Sequence, residues 1–241
     1  MKFKVFCIPY TEDERMIYAG EYLISKGYES TESAEKADFV VLPIPVKNYM
    51  LEGLEGKTVF YGCGNYDGYD YNKNEAFLLQ NAFFTSEGAI ALFKENCDIS
   101  IYNAKILIVG YGRIAQSLHK TLNALGADVT VCSRSDESRV LAKKNGARCI
   151  GFDELDREGS YDAVFNTVPA VVFTKKEIDA FDSNTVYFEL ASFPGGIDMH
   201  YAKHKKIRLV DGRGLPSRYS KKSAGILIGK TVDEMIKGGL I

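Results

Sequence analysis

The chain has 241 residues, 46% hydrophobic and 26% charged, enough to bury a full core as one large domain or two modest ones. Thirty Lys and Arg against 32 Asp and Glu leave a formal net charge of −2, so nothing electrostatic points to nucleic acid or an anionic membrane. No apolar run approaches the ~18 residues of a membrane span, and MKFKVFCIPY enters a strand-like segment with no small-residue cleavage site, which reads as a cytoplasmic protein.

Cys7, Cys63, Cys97, Cys132 and Cys149 are scattered, odd in number and free of C-x-x-C spacing. Reduced, mostly buried thiols are expected, with neither a zinc site nor a disulfide frame.

Residues 1–84 read as a smaller α/β domain of flavodoxin-like type. Phe3 to Ile8 is a strand, Glu14 to Lys26 an amphipathic helix stopped by Gly27, and Phe39 to Leu42 and Thr58 to Tyr61 two short apolar strands. Gly62 to Asp70 is rich in Gly, Asn and Asp and is expected as a loop. Helical spacing returns from Glu75 to Glu95 with an interruption around Phe84, and Thr85-Ser86-Glu87-Gly88 reads as the start of a new helix.

Residues 85–222 read as a dinucleotide-binding domain with a doubly wound parallel sheet. Ile106 to Val109 is an apolar run without alternation, the pattern of a strand buried on both faces. It runs into Gly110-Tyr111-Gly112-Arg113-Ile114-Ala115, a match to G-x-G-x-x-G/A. Gly110 permits the tight turn, Gly112 lets backbone approach a pyrophosphate, and Ala115 lets the helix pack on the strand. Ile114, Leu118, Thr121, Leu122 and Leu125 make one apolar stripe, Gly126 stops the helix, and Val129 to Cys132 is the next strand.

An NAD site usually carries Asp or Glu after that second strand to hold the ribose 2′-OH. Here the chain has Ser133-Arg134-Ser135, with Arg139 about one turn later. Hydroxyls and guanidiniums without a carboxylate suit a 2′-phosphate, so NADP is favoured over NAD, the plainer reading of both arginines being a solvated surface.

Strands and helices then alternate: Ser135 caps a helix ending at Gly146, and Arg148 to Ile150 and Ala163 to Phe165 are strands. Thr174 to Glu177 is a capping box, and Val186 to Leu190 and Ile207 to Val210 are further strands. Asn166-Thr167-Val168-Pro169, the segment Glu189 to Asp198 with Ser192, and Asp211 to Ser217 with Arg213 follow successive strands, where ligands of such sheets bind. The last helix, 223–241 with its tail, begins at a hydroxyl, ends at Gly238-Gly239 and is expected to join the first domain. His200 and His204 have metal-ligand spacing, but no acidic partner motif completes a site.

At these residues the chain resembles the dipicolinate synthase A-chain family of endospore-forming bacteria. The likeness covers about Asn74 to Glu234. The family's N-S-I-P-T-A-E-G-A is similar to Asn81 to Ala89, its G-x-G-R to Gly110 to Arg113, and its N-T-I-P-A to Asn166 to Ala170. Its D-L-A-S-x-P-G-G-x-D is similar to Glu189 to Asp198, and its G-L-P-G-x-x-A-P-K-T-A-G to Gly214 to Gly225. Glu189 stands where the family has Asp, Ser217 where it has Gly, and Lys221 where it has Pro; the opening of the chain looks little like the family's.

The resemblance implies NADP-dependent oxidation of dihydrodipicolinate to dipicolinate in the cytoplasm of a spore-forming mother cell. It implies a flavoprotein-like partner, the synthase's other polypeptide, and a homo-oligomer is expected. A dicarboxylate asks for cations and donors, and the candidates are Lys222 and Arg213, supported by Ser192 and Thr85, with Glu87 or water as proton acceptor. Two other readings stay open: another NAD(P)-dependent oxidoreductase of a small carboxylate, and a non-catalytic nucleotide-binding assembly module, since no His or Lys–Glu catalytic pair announces itself.

Overall fold

The computed structural model describes residues 4–155 and 160–238; Phe3 and Gly239, expected at the ends of the first strand and last helix, lie outside them. In chain order the first elements are β1 (Val5–Cys7), α1 (Glu14–Ser25), β2 (Glu29–Ser30), β3 (Phe39–Val41), β4 (Thr58–Tyr61), β5 (Tyr69–Asp70) and α2 (Glu75–Asn96). Then come β6 (Lys105–Val109), α3 (Arg113–Ala124), β7 (Asp128–Cys132), α4 (Asp136–Lys144), β8 (Arg148–Ile150) and β9 (Ala163–Asn166). The chain continues with α5 (Lys175–Asp179), β10 (Val186–Glu189), α6 (Met199–His204), β11 (Arg208–Asp211), α7 (Leu215–Tyr219) and α8 (Lys221–Lys237).

Two compact units result, Met1–Phe84 with Pro216–Ile241, and Thr85–Leu215. The second therefore ends seven residues before the boundary at 222 read from the sequence (222 − 215 = 7). Helix α2 runs unbroken from Glu75 to Asn96, so the interruption expected at Phe84 does not exist. The helical period blurs there because α2 is apolar on several sides, with Phe77, Ala82, Ala89, Leu92 and Phe93 all buried. Its length and composition are those of a membrane-crossing helix, with mean hydropathy 1.2, but 44% of that window is buried within the protein.

In the first unit the strands pair in parallel in the order β2-β1-β3-β4-β5, the doubly wound flavodoxin-like arrangement. Strands β2 and β5 are two-residue edge pairings, too short to carry a period in the sequence, and β5 falls in the segment expected as loop. Asp13 caps α1 through Arg15 N, and Gly27 at φ +90° ends it in the left-handed conformation that favours glycine. Its buried Met16, Ala19 and Leu23 meet Phe6, Phe39 and Phe60 of the sheet and Leu227, Ile228 and Val232 of α8. α8 approaches α1 closely because Gly225 and Gly229 face it: a methyl group on Gly229 would lie 2.7 Å from the Ala19 carbonyl oxygen, and one on Gly225 would strike that of Arg15.

In the second unit six parallel strands run in the order β11-β10-β9-β6-β7-β8, the Rossmann arrangement. Phe165 and Phe188 stack at 4.6 Å between centroids, with Phe93 of α2 against both. Ala115, Leu118 and Leu122 are the buried face of α3, joined by His119; Leu125, expected in the stripe, is 44% exposed because the helix ends at Ala124.

Candidate functional site

Parallel pairing sets one row across the second sheet: Cys132, Val109, Asn166, Glu189 and Asp211 are register partners, each at the carboxyl end of its strand. The loops that follow therefore leave from one edge. Gly110 to Ile114, Ser133 to Ser135, Asn166 to Pro169, Ser192 and Arg213 all lie on or next to that edge, where doubly wound sheets bind ligands.

Gly110 has φ +91°, and a methyl group there would lie 2.5 Å from Thr167 Oγ1, so conformation and space both demand glycine. Gly112 has an ordinary extended conformation, but nothing lies within 4 Å of where its Cβ would be. It is also the N-cap of α3, with no side chain capping the first-turn N–H groups. An open cradle on an uncapped helix start fits a pyrophosphate, so these residues suit a dinucleotide. Arg113 is exposed and Ile114 half-buried beside it. Tyr111 departs from the sequence reading, because its side chain is buried and turned inward onto His119, leaving only its backbone to the loop.

After β7 the expected residues divide. Arg134 is exposed, and among the described residues its side chain has no hydrogen bond or ion pair. Arg139 is instead a clamp: its Nη1 donates to the carbonyls of Ser133 and Arg134, the latter at 3.0 Å, and its Nη2 pairs with Asp136. Ser133 is buried, and the Ser135 hydroxyl caps α4 by accepting from Ser138 N at 3.3 Å. A guanidinium three residues from an acidic side chain on a helix finds that partner first, so Arg134 is the cation this loop leaves available.

After β9 and β10 the loops are tied together. Asn166 is fully buried; its Oδ1 accepts from Val168 N at 3.1 Å, and its Nδ2 donates to Val168 O at 2.9 Å and to Glu189 Oε1 at 2.7 Å. Glu189 also accepts from Ala191 N at 3.1 Å, Gly196 N at 2.7 Å and the Tyr187 hydroxyl at 3.2 Å. Burial, with the adjacent carboxylate, pushes the Tyr187 hydroxyl far above its ordinary range, so it remains a donor. Thr167 Oγ1 donates to Val109 O at 2.7 Å, tying its loop to the glycine turn, while Pro169 is exposed. Ser192 and Phe193 stand out from the bracketed loop, Phe193 being 85% exposed.

The other catalytic candidates are dispersed. Arg213 is exposed and holds Asp211 through Nε at 2.8 Å and Nη2 at 3.0 Å, so its guanidinium is already engaged by a carboxylate. Thr85 is buried and Glu87 exposed on α2, and the neighbouring Ser86 meets Ser117 of α3 at 2.9 Å between hydroxyls. Lys222 belongs to the first unit, exposed in the first turn of α8, and its side chain has no partner among the described residues. His200 and His204 are exposed on α6, and no group of three His, Cys, Asp or Glu among the described residues is placed to hold a metal. The role of Glu189 went unread because an acid at a strand end looks like any polar loop residue; the pair of glycines six and seven residues later was the available signal.

The NAD-binding domain of D-isomer specific 2-hydroxyacid dehydrogenases matches residues 85–183. The dipicolinate synthase A chain of Bacillus subtilis (strain 168) is 28% identical over 165 residues, which are 68% of this chain and 56% of that protein's length. The crystal structure of the dipicolinate synthase A chain from Bacillus subtilis has TM-score 0.84 at 20% identity, covering 99% of this chain and 97% of that one. That of its counterpart from Bacillus halodurans has TM-score 0.85 at 22% identity, covering 98% of each. The likeness of fold thus extends through the opening residues, where the motifs carry no resemblance. The chain is thus similar to the dipicolinate synthase A chain in sequence and fold, and residues 85–183 of its second unit match a dehydrogenase NAD-binding domain.

Proposed function

We propose that this chain is an NADP-dependent dehydrogenase that oxidises dihydrodipicolinate to dipicolinate, acting with a flavoprotein-like partner polypeptide, as a homo-oligomer, in the cytoplasm of a spore-forming mother cell. The observation that carries the reading is the common sheet edge that joins the glycine turn of β6 to the Asn166 and Glu189 loops, in a relative of the dipicolinate synthase A chain.

A bound nicotinamide dinucleotide would supply the acceptor for a hydride from the dihydropyridine ring. Gly110, Gly112 and the start of α3 would hold its pyrophosphate, and Arg134 would hold a 2′-phosphate. Asn166, Thr167 and Val168 line the nicotinamide side. Ser192 and Thr85 donate to substrate oxygens, Lys222 and Arg213 supply the charge for two carboxylates, and Glu87 or water takes the ring proton as the ring becomes aromatic.

The test is absorbance at 340 nm when the protein, NADP and freshly generated dihydrodipicolinate are mixed, with NAD in parallel. Reduction of NADP faster than NAD supports the reading. No reduction of either, in protein that binds NADPH and is supplied with the flavoprotein-like partner, overturns it. The Arg213–Asp211 pair favours a second reading, an NAD(P)-dependent oxidoreductase of a monocarboxylate, because it leaves fewer free cations for a second carboxylate.

A further inference from the structure

Among the described residues, every hydrogen-bond partner of the Glu189 carboxylate is a donor: the Asn166 amide, the Ala191 and Gly196 N–H groups and the Tyr187 hydroxyl. An ionised carboxylate offers about four acceptor sites and no donor, so it satisfies all of them, whereas an amide of the same shape turns one N–H₂ against N–H or O–H groups. The surrounding chain is shaped to this carboxylate. A methyl group on Gly195 would lie 2.7 Å from Glu189 Oε2, and one on Gly196 would collide with Asn166 Nδ2. Gly195 also has φ +85°, and the Gly196 carbonyl accepts from Val172 N and Phe173 N, so the far end of the loop is anchored too.

Two loops meet at this point. Asn166 orders Thr167 and Val168 on the nicotinamide side, and the span Ala191 to Gly196 carries Ser192 and Phe193. We infer that Glu189 is a positioning residue that sets the nicotinamide-side loop and the Ser192 loop in register with each other. The inference rests on the proposed function for what passes between the loops, but not for the linkage itself. Glu189 need touch neither substrate nor cofactor: its carboxylate is taken up by protein donors, and it acts through Asn166, Ala191 and Gly196.

The experiment compares E189Q and E189D with the unaltered chain in three measurements: kcat and KM with NADP and dihydrodipicolinate, emission of the nicotinamide in bound NADPH, and amide hydrogen exchange at Ala191 and Gly196. In E189Q, kcat is expected to fall about 100-fold, the scale of a small misplacement of reacting groups, while NADPH affinity changes less than about threefold, because phosphate contacts lie elsewhere. E189D keeps the acceptor on a shorter stem and is expected to fall between the two. Exchange at Ala191 and Gly196 is expected to quicken, and nicotinamide emission to change, in both variants.

A kcat within about threefold of the unaltered chain, with protection at both amides unchanged, overturns the inference. So does parallel loss of NADPH affinity and thermal stability, which marks a purely structural residue, and so does failure of both variants to fold. If the unaltered chain, supplied with the flavoprotein-like partner, turns over no dihydrodipicolinate, the proposed function fails separately. The exchange and emission measurements, which need only NADPH, still decide the role of Glu189.

Discussion

The Tyr111 hydroxyl lies 3.0 Å from His119 Nδ1 inside the second unit, directly beneath the glycine turn. Asn145 Nδ2 donates to the same phenol oxygen at 3.2 Å, which leaves the phenol proton for His119 in the tautomer whose Nδ1 carries no proton. Burial lowers the His119 pKa from its ordinary 6.5 and raises that of Tyr111, both of which preserve this arrangement.

A stability loss on mild acidification follows. The unfolded chain takes up a proton on His119 near pH 6.5, the folded chain only at lower pH, so in that window the unfolded state binds more protons and stability falls as pH falls. Thermal unfolding between pH 7.5 and 5 is expected to show this slope, and His119→Gln to flatten it. An undiminished slope in the variant contradicts the assignment. Asp38, Asp179 and Glu177, whose pKa values are lowered from 3.8, 3.8 and 4.5, titrate below the window.

The two fingerprint glycines should fail differently. Gly110→Ala forces a left-handed φ on a side chain against Thr167 Oγ1 and is expected to cost about 2 kcal/mol of stability. Gly112→Ala meets no protein atom and is expected to leave the unfolding midpoint within about 2 °C while weakening NADPH binding tenfold or more. Calorimetry and NADPH titration of both variants separate the effects, and equal loss of stability in the two contradicts the account.

Arg134 and Arg139 should separate likewise. Arg134→Ala is expected to weaken NADPH by about 10-fold or more, one charge-assisted contact, with NADH unchanged. Arg139→Ala removes the guanidinium that donates to the Ser133 and Arg134 carbonyls and is expected to weaken both dinucleotides together. Equal effects of Arg134→Ala on NADPH and NADH would remove the case for a 2′-phosphate site.

The α1–α8 contact should tolerate no side chain at its centre. Gly229→Ala is expected to destabilise by about 1–3 kcal/mol, because the opposing atom is the Ala19 carbonyl oxygen, which cannot rotate away. Gly238→Ala, at the end of the same helix, is expected to have a smaller effect, since its methyl group would meet only the Glu234 and Met235 carbonyls of the last turn. Urea denaturation of both variants is the check.

Periodicity was enough for the second sheet's strands, the stops at Gly126 and Gly146, and the glycine turn, because a buried strand and a capped helix are written in consecutive residues. The resemblance in Asn166 to Ala170 and Glu189 to Asp198 likewise needed only order along the chain. What those residues do to one another needed the fold. Glu189 and Asn166 are 23 positions apart, and their bond exists because β9 and β10 are register partners. Tyr111 turned inward because His119 and Asn145 offered its hydroxyl partners in the interior, and Arg139 became a clamp because Asp136 and two carbonyls lay within reach. Local pattern reports which face of an element is apolar; which polar groups find each other is decided by strand register and helix placement, because a buried donor or acceptor must be satisfied by whatever the fold brings beside it.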